Sequence, residues 1–235
     1  DAAVALRMLE ALVEKERRRI KPDGNLIASA LTSQSMALWV TGRTDKAIEV
    51  LQSVRSDGKG DKNLYINLGS YLLEKGRLAE AEKVILEGAK AMPETPGMLD
   101  NRAWLLLETG RLQEAERIFD TLIADSKPRF PEAFVHAAMV KVALGKFEKA
   151  RELYREALDK PFYRTTGYSK ESIQQSLQAI EGRPDDAAAS RPSAVDTIDW
   201  FEAHQYDDED LFDDERDPDT SLSDEEESDP DIELD

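Results

Sequence analysis

The sequence has no cysteine and only two histidines, His136 and His204, in 235 residues. The first absence excludes disulfides, thiolate metal sites and cysteine nucleophiles, and leaves the redox compartment open. No P-loop, H-E-x-x-H, G-x-S-x-G or G-x-G-x-x-G stretch occurs, so the usual sequence signatures of phosphoryl transfer, metal-assisted hydrolysis, acyl transfer and dinucleotide chemistry are missing. No twelve-residue calcium loop is present. No apolar run approaches the roughly 18 residues needed to cross a bilayer, and no basic stretch precedes an apolar one at the amino terminus. From these absences we expect a protein without catalytic residues, metal or cofactor. An anchor encoded upstream of Asp1 is an open alternative, which would make this the soluble domain of a membrane-tethered assembly protein. The localisation expectation leans towards the cytoplasm.

What is abundant is charge, and it is unevenly placed. The net charge is −18, yet residues 185–235 hold 22 acidic residues against Arg191 and Arg216. The remaining 184 residues carry 27 acidic and 29 basic groups. A near-neutral body joined to an acidic tail marks a boundary at Asp185. A body this close to neutral releases few counterions on phosphate, so nucleic acid is not an expected partner.

Within the body one signal recurs. Gly42 opens GRTDKA, Gly76 GRLAEA, Gly110 GRLQEA and Gly145 GKFEKA, at intervals of 34, 34 and 35 residues. The closing alanines, Ala47, Ala81, Ala115 and Ala150, keep the same intervals. A large residue follows each alanine by four positions: Leu51, Ile85, Phe119 and Tyr154. Leu31, Tyr65, Leu99 and Phe134 mark the first half of each unit. This is the period of a helix–turn–helix repeat. The glycine suits a short turn needing positive φ, and the alanine suits the point where two helices cross closely.

The pattern resembles the tetratricopeptide repeat family, with four units in about residues 28–161. The resemblance implies an all-α, right-handed solenoid of helix hairpins. Arg102, Lys141 and Ser35 depart from the family's residue types and are expected to loosen local packing. The extra residue before the fourth unit falls in SKPRFPEA, where a change of superhelical angle is expected. We read residues 1–25 as a leading capping helix and turn, and 26–161 as the solenoid. Residues 162–184 read as a trailing cap begun by Ser169 with a stripe of Ile173, Leu177 and Ile180, and 185–235 as a disordered acidic tail. In the leading helix, Val4, Met8 and Leu12, with Leu9 and Val13, form the apolar pattern.

In this family the first helix of each unit lines a concave groove that binds a peptide segment or a partner helix. Carried onto this sequence, the resemblance makes Thr32, Met36, Trp39, Asn63, Asn67, Asn101, Trp104, His136 and Met139 the groove candidates. Asn67 and Asn101 occupy one position in adjacent units. Their amides suit either a ligand backbone or a bond between repeats. Trp39, Trp104, Met36 and Met139 suit apolar anchoring, with burial in the core as the alternative. His136 is either a ligand contact or an ordinary helix residue. The basic clamp that some members use for acidic chain ends is not matched, because Thr32, Met36, Gly97 and Asn101 stand at its positions.

The tail interleaves Trp200, Phe201, Tyr206, Leu211 and Phe212 with carboxylates, a composition that suits docking on a basic protein, with a merely solvated tail or docking of this segment into the chain's own groove as the alternatives. The leading functional expectation is a protein-interaction module, an adaptor or assembly scaffold that binds through the groove. The alternative is a chaperone-like factor that works through its tail.

Overall fold

Glycine sets the geometry of each hairpin. Gly42, Gly76, Gly110 and Gly145 all adopt positive φ, between 66° and 76°. Each is bonded as a Schellman turn. In the second unit, for example, the Gly76 N–H donates to Leu73 C=O at 2.9 Å and the Arg77 N–H to Leu72 C=O at 2.8 Å. A side chain at this φ would strain the backbone, and the turn reverses the chain within a few residues.

The computed structural model describes residues 2–163, 165 and 167–186. Among them the elements are α1 (Ala2–Arg17), α2 (Gly24–Val40), α3 (Thr44–Ser56), α4 (Lys62–Glu74), α5 (Leu78–Ala91), α6 (Pro96–Glu108) and α7 (Leu112–Thr121). After α7 come a π-helical turn (Leu122–Ser126), α8 (Pro131–Ala143), α9 (Phe147–Leu158) and α10 (Lys170–Ala179). The pairs α2/α3, α4/α5, α6/α7 and α8/α9 are the four repeat hairpins, with α1 packed before them on α2 and α10 after them on α9. The architecture is an all-α solenoid. Asp23, Asp61 and Ser169 cap α2, α4 and α10 by accepting from backbone N–H groups, which satisfies donors that the first helical turn leaves open.

Packing follows the repeat. Ala47, Ala81, Ala115 and Ala150 are each fully buried, so the two helices of every hairpin meet backbone to backbone. Two apolar clusters result. One gathers Leu38, Ile48, Leu51, Leu64, Leu68 and Leu72 from the first two units. The other gathers Phe119, Leu122, Phe134, Phe147, Tyr154 and Ile173 from the last two and α10.

Four findings revise the expectations. The 35th residue of the third unit is absorbed by the π turn and by Lys127, whose φ is 44°; widening one helical turn accommodates an inserted residue. Lys141 does not loosen its site. Its ammonium is buried and bonds Glu116 and Asp120, each at 2.7 Å, and Glu116 also accepts from Lys146. In α1 the buried residues are Leu6, Val13 and Glu16, while Val4, Met8 and Leu12 are exposed. Of the expected residues Val13 is therefore buried and Leu9 half-buried, while the inward face is completed by Leu6 and not by Val4, Met8 and Leu12. Finally, Asp185 and Asp186 are bound to the solenoid. Asp185 Oδ1 accepts from the Glu148 N–H at 2.9 Å and the Asp186 N–H donates to Gly145 C=O at 2.8 Å. Asp185 thus caps α9, whose own Lys146 supplies no side-chain cap. An acid at that helix start is also favoured by the helix dipole.

Candidate functional site

The first helix of each unit carries the groove candidates, and the structure divides them. In the first half, Met36 and Trp39 of α2 are half-buried, Ser33 and Asn63 are exposed, and Asn67 is half-buried. Trp39 stacks flat on Tyr71 of α4, with ring centroids 3.9 Å apart. A cleft of about 320 Å³ opens between α2 and the loop entering α4, lined by Asn25, Ser29, Thr32 and Lys59 among others. Thr32 itself is buried, and its hydroxyl donates to Ala28 C=O at 3.0 Å.

The two asparagines have different neighbours and different fates. Asn101 is 2% exposed; its Nδ2 donates to Ile66 C=O at 2.8 Å, and its Oδ1 accepts from the Ser70 hydroxyl at 2.9 Å. It ties the third unit to the second. One unit earlier, the equivalents of Ile66 and Ser70 are Thr32 and Met36. Thr32 C=O accepts the Ser35 hydroxyl at 2.7 Å, and Met36 stands where Ser70 donates to the Asn101 oxygen. Asn67 Nδ2 is buried with no partner among the described residues. A buried donor left without an acceptor costs about 1–3 kcal/mol.

The second half of the face is recessed and acidic. Trp104 and His136 lie in the interior, 6% and 1% exposed, and stack with centroids 4.3 Å apart. Trp104 Nε1 donates to Glu108 at 3.0 Å. The Nδ1 of His136 meets Asp100 Oδ1 at 3.0 Å, and the Tyr168 ring meets the imidazole edge-on at 5.6 Å. Met139 is half-buried, and its sulfur accepts from the Tyr168 hydroxyl at 3.6 Å. Glu132 accepts from the Gly167 N–H at 3.0 Å. Thr32, Asn101, Trp104 and His136 are therefore not open groove residues: Thr32 departs from expectation, whereas for Asn101 and Trp104 the alternatives hold, a bond between repeats and burial in the core. Apolar area and mutual hydrogen bonding draw them inward.

Burial governs the protonation of this recess. It pushes the Glu74 carboxyl up to about 7, opposed by His136 and Lys75 and assisted by Glu132. It also raises Glu132, against the Gly167 hydrogen bond. For His136, burial acts downward, but the charge and hydrogen bond of Asp100, with Glu132 and Glu74, hold the imidazole above its ordinary value. Glu74, Glu132 and Tyr168 were not legible as site residues. Their one signal is register: repeat positions that face the groove are acidic at Glu74, Asp100 and Glu132 in three successive units.

The tail residues Trp200, Phe201, Tyr206, Leu211 and Phe212 lie outside the described residues. No helix of the described residues is long and apolar enough to cross a membrane.

The tetratricopeptide repeat family model matches residues 32–97 and 101–163, more than half of the chain. No curated protein gives a significant match. Among solved structures, the fold is similar to TTC0263, a thermophilic tetratricopeptide repeat protein of Thermus thermophilus, with a TM-score of 0.57 and 16% identity. That match covers 76% of this chain and 90% of the other. It is also similar to BtubC of P. vanneervenii, with a TM-score of 0.52 and 16% identity over 80% of each chain. At this identity the likeness shows the fold. Such repeats are protein-interaction scaffolds, typically without catalysis of their own. On the repeat match, the hairpin geometry and the structural likeness together, this protein-interaction module belongs to the tetratricopeptide repeat family.

Proposed function

We propose that the chain is an adaptor or assembly scaffold that holds an extended segment of a partner protein along the first two units of the concave face. The observation that carries this reading is the Asn67 amide, whose buried Nδ2 has no partner within the described residues. A peptide carbonyl laid along the groove supplies the missing acceptor, while the Asn67 side-chain oxygen takes a backbone N–H, which holds a segment without reading its sequence. Met36 and the Trp39–Tyr71 stack offer apolar contact beside it.

The test uses the full chain as bait in native extract, with retained proteins identified by mass spectrometry. Trp39→Ala combined with Asn67→Ala is expected to weaken retention of the principal partner by about tenfold or more, the loss of one or two buried contacts. Equal retention by the variant would sink the proposal. Retention that fades steeply with salt and ignores these residues would point to the acidic tail.

A further inference from the structure

Three carboxyl groups from three helices converge beneath the second half of the concave face: Glu74 at the end of α4, Asp100 in α6 and Glu132 in the first turn of α8. At their centre stands His136, 1% exposed. Its Nδ1 is engaged by Asp100 at 3.0 Å. Its Nε2, at the other edge of the ring, is buried and has no partner among the described residues. Glu74 and Glu132 act on the ring through their charge, yet neither bonds Nε2. With Asp100 fixing the proton on Nδ1, a neutral imidazole offers Nε2 as an acceptor. The recess then holds three kinds of acceptor and an excess of negative charge.

We infer that this recess seats a basic side chain, a lysine ammonium or arginine guanidinium, of the segment held in the groove. The inference rests on the groove reading and specifies the segment's chemistry. A cationic head brings several N–H donors, one for Nε2 and others for the two glutamates, and its charge offsets the carboxylates. Glu74 and Glu132 are half-buried, Gly167 lies beside both and donates its N–H to Glu132, and the buried His136 stands behind them. The Trp39–Tyr71 stack leads towards Glu74, which acts on the Tyr71 hydroxyl through its charge. The apolar stem of a basic residue suits such a wall. Among the described residues no three acidic or histidine groups are arranged to hold a metal ion, whereas an ammonium or guanidinium needs only hydrogen-bonding distances. Without that side chain, the recess limits its charge by taking up protons, the direction in which burial and mutual repulsion already push Glu74 and Glu132. The basic head replaces those protons, so its binding lowers the pKa of His136.

The experiment titrates the full chain with Nα-acetyl-arginine amide, Nα-acetyl-lysine amide and the uncharged Nα-acetyl-norleucine amide, following the His136 ring and Trp104 indole signals by NMR. The expected result is a saturable shift of both signals with a cationic probe, a fall in the His136 pKa, and neither effect with norleucine. Comparison of the two cations tells guanidinium from ammonium. Glu74→Gln with Glu132→Gln should weaken the cation about tenfold or more. Should that double variant not fold, Glu74→Gln alone keeps the Gly167–Glu132 bond and serves instead, its fold checked by circular dichroism. Equal shifts with norleucine, no saturable shift with either cation, or cation binding unchanged in the variants would overturn the inference. A partner that needs Trp39 and Asn67 but is indifferent to Glu74→Gln would refute the basic anchor and leave the groove reading standing.

Discussion

The two halves of the concave face use the same repeat positions and reach opposite ends. In units three and four Asn101 bonds back to the second unit and Asp100 holds the Nδ1 of His136 under Trp104, with the His136 Nε2 left without a bond among the described residues. In units one and two the corresponding amide nitrogen, that of Asn67, finds no partner among the described residues, and Met36 stands where Ser70 serves Asn101. A repeat position therefore does not carry a role by itself. The preceding unit decides whether its polar group is engaged within the fold or left for a ligand.

Four measurements sharpen this contrast, the largest effect first. His136→Ala removes the partner of a buried Asp100, and urea unfolding should show a loss of about 3–5 kcal/mol, the usual cost of stranding one member of a buried pair. A loss below about 1 kcal/mol would mean that water reaches Asp100 freely.

The second is pH dependence. Glu74 is raised by burial from 4.5 to about 7 in the folded chain. The folded state therefore binds the proton more tightly than the unfolded state does. This contribution is fully present below pH 4.5 and is lost as pH climbs through about 7, a change of at most about 3 kcal/mol. Raised His136 and Glu132 act in the same direction, within the field of Asp100, Lys75 and Tyr168. Urea midpoints at pH 5 and pH 8 are expected to differ more for the unaltered chain than for Glu74→Gln.

Third, Asn101→Ala should cost about 1–3 kcal/mol by removing two hydrogen bonds between the units, the Ser70 hydroxyl keeping Ile66 C=O as its acceptor, while Asn67→Ala should stay within about 0.5 kcal/mol or stabilise slightly. Equal costs would erase the distinction between the two halves. The smallest effect belongs to the half-buried pair Arg77–Glu80, bonded at 2.8 Å. Arg77→Ala should cost no more than about 1 kcal/mol in urea, less at high salt.

The hairpins were legible because they rest on local chemistry. A glycine at positive φ and an alanine at a helix crossing are each dictated by one turn and one contact. The Ser169 cap and the Ile173 stripe of α10 were legible for the same reason. The recess was not, since Asp100 and His136 are 36 residues apart and meet only once adjacent units are stacked. Lys141 stood out as a departure in an apolar position, but its compensation by Glu116 and Asp120 depends on the neighbouring α7. Part of the α1 stripe was misplaced because Val4, Met8 and Leu12 have nearly the same helical spacing as the inward residues Leu6 and Val13, of which only Val13 was expected. Which face turns inward is settled by packing on α2 rather than by periodicity.

The central claim is that the first half of the concave face receives a partner segment. The most direct measurement places a photo-crosslinking residue in the full chain at exposed Ser33 or Asn63, and separately at exposed Gln113 on α7, then maps adducts formed in native extract. The account predicts that Ser33 and Asn63 capture the same protein through one short segment and that Gln113 does not. Capture of that protein from Gln113, with none from the two concave positions, would contradict it.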